Sequence, residues 1–107
     1  MGFQRVCSLD DIWEGDMQGF SVDGKAVLVV NQGGGEVSVY DGNCPHQDYP
    51  LAEGEIANGV LICAMHLWQF DIRTGEGVNP TGCKLRSYAA RIEDGGVFVD
   101  VSALSGE

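Results

Sequence analysis

The sequence predicts an all-β fold of short antiparallel strands. Three observations carry this expectation. Glycine makes up 16 of 107 residues, and no stretch sustains a helical period. The apolar runs are short and often alternate with polar residues, as strands do. Asp23-Gly24 and Asn58-Gly59 each stand between two such runs, and both positions of these pairs tolerate the positive φ of a tight hairpin turn. Short strands with frequent turns make a sandwich or a barrel.

In chain order, Ser8 to Ile12 is the one helical hint, with Ser8 as an N-cap and Asp11 at the third helical position. Gln18 to Val22 reads as a strand. Lys25 to Val30 is apolar on both faces, so it reads as a buried strand. Gly33-Gly34-Gly35 is a turn before the alternating strand Glu36 to Tyr40. It lacks the Lys-Ser/Thr and the following helix of a phosphate-binding loop. Glu55 to Ala57, Val60 to Cys63 and Trp68 to Ile72 follow as strands. Residues 74–82 read as one long glycine-rich loop. Leu85 to Ile92 and Val97 to Val101 form the last pair, joined at Asp94-Gly95-Gly96.

A chain of 107 residues is expected to form one domain, 1–107. No apolar run reaches the roughly 18–20 residues that span a bilayer. The N-terminus shows no basic patch followed by a long apolar stretch, so a cytoplasmic protein is expected. The net charge of −10 argues against nucleic acid and anionic lipid, which need clustered Lys and Arg. Residues 41–80 hold six carboxylates against one arginine. That favours basic partner surfaces, and it equally serves solubility.

The chain has two histidines, and each lies within three residues of a cysteine: Cys44-Pro45-His46 and Cys63-Ala64-Met65-His66. The pattern is C-x-H-x16-C-x2-H. Both groups are expected at strand ends beside the Asn58-Gly59 hairpin, on the tips of adjacent strands, facing each other. Cys7 and Cys83 read as small apolar fillers. A Cys44–Cys63 disulfide would leave both histidines unexplained.

Two metal readings follow. All four residues can bind one tetrahedral Zn²⁺ in an interaction module without redox function. Against this, paired zinc ligands usually have two to four residues between them, whereas Cys44 and His46 have one. Ligands so close serve two different metals more easily. That is the donor set of a Rieske [2Fe–2S] centre, with two Cys on one iron and two His on the other. Cys44 and Cys63 would then hold one iron, and His46 and His66 the second. Two ferric ions, two sulfides, two thiolates and two neutral imidazoles sum to zero charge. Such centres lie at roughly −150 to +300 mV, against about −400 mV for plant-type clusters.

On these residues the chain resembles the Rieske-type ferredoxins over nearly its whole length. The resemblance implies an antiparallel β-sandwich with a small cluster-binding subdomain, about 42–82, and one [2Fe–2S] cluster per chain. It implies that a third loop carrying Asn79-Pro80 covers the cluster, with Pro80 as a shield. Respiratory Rieske proteins carry an extra cysteine in each ligand loop and a membrane anchor. Gln47-Asp48-Tyr49 and Ala64 show neither cysteine here.

His66-Leu67-Trp68 departs from the ferredoxins of ring-hydroxylating dioxygenases, which commonly place Gly after this histidine. With Cys7 to Trp13 and Cys44 to Gln47, it is similar to the ferredoxin components of toluene 4-monooxygenase and of related soluble diiron monooxygenases acting on alkenes and isoprene. The resemblance implies a one-electron carrier, monomeric when free. It would run between an NADH-dependent flavin reductase and a diiron hydroxylase, with a dioxygenase as the alternative client. Pro45, Gln47, Met65, Leu67, Trp68 and Pro80 would surround the cluster or meet the partner, although Trp68 reads equally as a core tryptophan. An oxygenase iron in this chain is excluded, because such a site needs two histidines of its own.

Overall fold

The computed structural model describes residues 3–43, 51–63, 68–79 and 84–105, with the backbone alone at 102–105. The strands are β1 (Gln4–Ser8), β2 (Met17–Val22), β3 (Lys25–Gly33), β4 (Glu36–Asp41), β5 (Glu55–Ala57), β6 (Val60–Ile62), β7 (Gln69–Asp71), β8 (Gly77–Asn79), β9 (Ser87–Glu93) and β10 (Gly96–Ser105). They form a six-stranded sheet in the order β1-β10-β9-β4-β3-β2 and a four-stranded sheet in the order β5-β6-β7-β8. Every paired neighbour is antiparallel. The all-β sandwich expected from the sequence is therefore present.

The turn chemistry acts as expected. Asp23-Gly24, Asn58-Gly59 and Asp94-Gly95 each have positive φ at both positions, +52/+76, +54/+76 and +50/+77 degrees. Such turns match the right-handed twist of the strands they join. The helical hint is a single 3-10 turn, Leu9–Asp11, in which the Ser8 N–H donates to the Asp11 carboxylate at 3.0 Å.

Two cores divide the molecule. Cys7, Val22, Val27, Val29, Val39, Tyr88, Val97, Val99 and Val101 belong to the first. These residues come from both halves of the large sheet, so that sheet bends over and packs against itself. Its two halves join where β4 meets β9, paired at Val39 with Tyr88 and Tyr40 with Ser87. Leu28, Val30, Tyr40, Leu51, Leu61, Cys63, Phe70, Ile72 and Leu85 form the second core, between the opposite face of β3–β4 and the small sheet. Alternate residues of β3 thus serve alternate cores, which is why its sequence is apolar on both faces.

Two strands differ from the sequence expectation. β1 was not expected: only Cys7 in it is buried, and a register shift between Arg5 and Cys7 breaks its alternation. It exists because β10 offers it a partner. β8 lies inside the region read as loop, and it forms by pairing with Gln69 and Phe70 of β7. Neither strand carries a pattern of its own.

Tyr40 ties the two sheets together. Its hydroxyl donates to the Ile72 carbonyl at 2.8 Å, and the Gln32 side-chain amide donates to the same oxygen at 2.6 Å. Burial pushes the Tyr40 pKa up; a Ser38 side-chain hydrogen bond opposes this, and Asp71 adds to it. A raised acid pKa means stability that is intact below the ordinary tyrosine range and declines as pH rises through it. Tyr40→Phe is expected to cost about 0.5–1 kcal/mol at neutral pH, the low end for a lost hydrogen bond, because Gln32 keeps the carbonyl satisfied. It is also expected to soften the alkaline loss of stability. Urea unfolding of both proteins from pH 7 to 11 checks this, and equal slopes would contradict the role given to Tyr40.

Candidate functional site

Cys63 directly follows β6. Ile62 pairs with Gln69, and the Cys63 N–H donates to the Trp68 carbonyl at 2.7 Å, which carries the ladder one step past the strand. The segment 64–67 thus begins and ends at a hydrogen-bonded base. Glu55 pairs with Ile62, and Gln69 pairs with Asn79. The register therefore puts the start of β5, the end of β6, the start of β7 and the end of β8 in one row.

Three segments outside the described residues are flanked by described ones around this edge. Segment 64–67 leaves from it, and so does 80–83, after Asn79. The third, 44–50, follows β4 and rejoins the chain at the 3-10 turn Leu51–Glu53 that leads into β5. Its base is closed by the Leu51 N–H donating to the Gly42 carbonyl at 2.8 Å. Beyond 80–83, Lys84 bridges to Glu76, and the Leu85 N–H donates to the Gly75 carbonyl at 2.7 Å.

Of the residues singled out from the sequence, the structure describes Cys63 and Trp68. Cys44, Pro45, His46, Gln47, Met65, His66, Leu67 and Pro80 lie outside the described residues, as does Cys83. Cys63 is fully buried in the second core and forms no disulfide. Trp68 is half-buried and packs against that core, which supports its reading as a core tryptophan. Cys7 sits in the first core; burial foremost, then Asp11, push its thiol pKa up, and Arg5 opposes them. That is the environment of an inert filler.

Of the two Cys/His groups the structure describes Cys63, which follows the end of β6 in the β5–β6 hairpin, as expected, at the end opposite the Asn58-Gly59 turn. Cys44, His46 and His66, and so the facing of the two groups, lie outside the described residues. β4, the strand that precedes the first group, belongs to the other sheet, and packing of the small sheet onto β3–β4 brings the described flanks together.

Sequence reasoning also passed over residues that shape this edge. A Cβ at Gly54 would collide with the Ile62 carbonyl, next to Cys63. Only glycine lets the 3-10 turn lie this close to β6. Asp41 and Arg86 form an ion pair at 2.9 Å beside the base of segment 44–50. No local pattern marks these three residues; the one signal is that Gly54 and Asp41 stand close to strand ends next to the Cys/His groups.

The donor set and its setting fit a [2Fe–2S] group. A thiol with no exposure, at the mouth of the loop that carries His66, is already desolvated on the core side. Apolar side chains wall it, and such burial together with hydrogen bonding tunes cluster potentials.

An antiparallel sandwich bearing a small sheet, with Cys63 buried at the end of β6 and the C-x-H-x16-C-x2-H pattern in its sequence, defines a small β-type iron–sulfur protein. The chain belongs to the Rieske [2Fe-2S] domain family, whose profile matches residues 2–89. It is similar to the ferredoxin component of the alkene monooxygenase system of Xanthobacter autotrophicus, 42% identical over 95% of this chain and 84% of that protein. It is also similar to the ferredoxin component of biphenyl 2,3-dioxygenase of Rhodococcus jostii, 32% identical over 94% of each chain. Among solved structures, the ferredoxin of carbazole 1,9a-dioxygenase from Nocardioides aromaticivorans matches with a TM-score of 0.80 at 28% identity, covering 92% of this chain and 97% of that one. The chain is an electron-transfer component with a [2Fe–2S] cluster, and it is not itself the oxygenase. Among the described residues, no helix is long and apolar enough to cross a membrane.

Gly54→Ala tests the close approach beside Cys63. Gly54 does not have positive φ, so the cost is steric. It is expected to destabilise the fold by about 1–3 kcal/mol, as overpacking does, and to lower the iron content of the purified protein. Thermal unfolding and iron analysis check it; full stability with full iron would contradict the packing argument.

Proposed function

We propose that this chain carries single electrons from an NADH-dependent flavin reductase to the diiron hydroxylase of a multicomponent monooxygenase. The observation that carries this is the 42% identity, over 95% of the chain, to an alkene monooxygenase ferredoxin, against 32% to a biphenyl dioxygenase ferredoxin. His66-Leu67-Trp68 supports the same client.

In this reading Cys44 and Cys63 hold one iron, and His46 and His66 the other. The bound cluster supplies a one-electron store. The protein supplies its setting. Cys63 offers a thiolate from a dry, packed wall, and the Cys63–Trp68 backbone hydrogen bond holds the base of the loop that bears His66. Pro45, Gln47, Met65, Leu67 and Pro80 surround the cluster or meet the partner, with Trp68 packed behind them. The whole chain acts as one domain, with a cluster-binding subdomain over about 42–82. It works as a cytoplasmic monomer that meets reductase and hydroxylase in transient encounters, each burying less than about 1,200 Å².

The purified protein is expected to hold about two irons and two acid-labile sulfides per chain, the composition of one [2Fe–2S] cluster. A colourless protein with one zinc would overturn the reading. His66→Cys is expected to lose the cluster or to move its midpoint toward the roughly −400 mV of all-thiolate clusters. An unchanged midpoint in protein-film voltammetry would remove His66 from the ligand set. Reduced protein is expected to support a diiron monooxygenase hydroxylase faster than a ring-hydroxylating dioxygenase. The opposite preference would reassign the client. Raising the salt from 20 to 300 mM is expected to slow electron delivery, because the −10 charge steers encounter.

A further inference from the structure

Asp41 is the last residue of β4, three positions before Cys44. Both of its carboxylate oxygens are engaged. Oδ1 accepts the Asn43 backbone N–H at 3.1 Å, which shapes the residue directly before Cys44. Oδ2 lies 2.9 Å from the Arg86 guanidinium. The Asp41 backbone N–H also donates to the Arg86 carbonyl at 2.7 Å. The Asp41 side chain is 15% exposed and that of Arg86 38%, so the pair is partly shielded from water.

Arg86 lies three positions beyond segment 80–83, in the stretch that returns to β9. One carboxylate therefore joins the start of the first ligand loop to the chain that leaves the third. The neighbouring residues strengthen the junction. The Gly42 N–H donates to the Ala26 carbonyl at 2.9 Å, and the Gly42 carbonyl accepts from Leu51. A Cβ at Gly42 would meet the Ala26 carbonyl carbon at 2.9 Å, so the chain is pressed against β3 just here. Two further ion pairs, Arg91–Glu93 and Arg73–Glu36, are more than half exposed on both partners and touch neither loop base. Charge-assisted hydrogen bonds that orient a loop base act on whatever the loop holds.

We propose that Asp41 and Arg86 are positioning residues for the cluster: their ion pair locks the first ligand loop to the third and slows release of the iron. The proposal rests on the cluster reading given above, and it assigns no ligand role to either side chain. Asp41→Asn keeps an acceptor for Asn43 and loses the charge; Arg86→Gln loses the charge from the other side.

The test uses the full-length, cluster-loaded protein. Loss of visible absorbance is followed in excess iron chelator under anaerobic conditions, beside the EPR line widths of the reduced protein and its thermal midpoint. Asp41→Asn and Arg86→Gln are each expected to release iron roughly tenfold faster, the lower end for outer partners of metal ligands. Both are expected to broaden the EPR lines. Arg86→Lys, which restores a charged donor, is expected to recover most of the wild-type rate, and it serves if the other variants load poorly. Arg91→Gln makes the same charge change on an exposed pair and is expected to release iron at the wild-type rate.

Wild-type release rates in Asp41→Asn and Arg86→Gln would overturn the lock. So would release that quickens in Arg91→Gln equally, because charge alone would then be the cause. A thermal midpoint that falls in step with faster release, with unbroadened EPR lines, would reduce the pair to general stability. A wild-type protein without labile sulfide would overturn the cluster reading first; a loaded wild type with unaffected variants overturns the lock alone.

Discussion

The β3–β4 ladder is buried on both of its faces, and the rest of the molecule is arranged by that constraint. A strand pair with two apolar faces needs two covers. One is the far half of the same sheet, whose residues share the first core with those of β3 and β4. The other is the small sheet of β5 to β8. Val27 and Val29 of β3 belong to the first core, Leu28 and Val30 to the second. The small sheet, with strands of three residues, has too little area to stand alone. It holds its shape because Leu61, Phe70 and Ile72 are pressed against Leu28, Val30 and Tyr40.

In the proposed reading, this dependence explains how a small sheet can carry a redox site. An electron carrier gains from ligands that move little between oxidation states, so the loops need rigid footings. In the proposed reading the footings are backbone hydrogen bonds at the loop bases, the ion pair of Asp41 with Arg86, and Cys63 set into the second core.

Glycine serves the same end by close approach. Gly54 lets a turn lie against the Ile62 carbonyl, and Gly42 lets β4 press on β3. At both places a methyl group would wedge apart elements that set the loop bases. In the hairpins the reason differs: Gly24, Gly59 and Gly95 supply positive φ.

Much of this was legible from local pattern. Hairpin turns at Asp23-Gly24 and Asn58-Gly59 follow from residue chemistry at two adjacent positions, and β3 was readable as doubly buried from its apolar run. The Cys/His pattern pointed to a cluster because thiolate and imidazole are metal donors whatever the fold. β1 and β8 were not legible, since each takes its conformation from a partner strand and carries no period of its own. Nor were Tyr40, Asp41, Gly54 and Arg86, whose partners are distant in sequence or meet only through packing: Tyr40 reaches across 32 positions to Ile72, and Asp41 across 45 to Arg86. Ligand chemistry and turn geometry are properties of a few neighbouring residues, so the chain declares them directly. Which loops share an edge, and what holds their bases, depends on how two cores close on β3–β4, and only the folded molecule decides that.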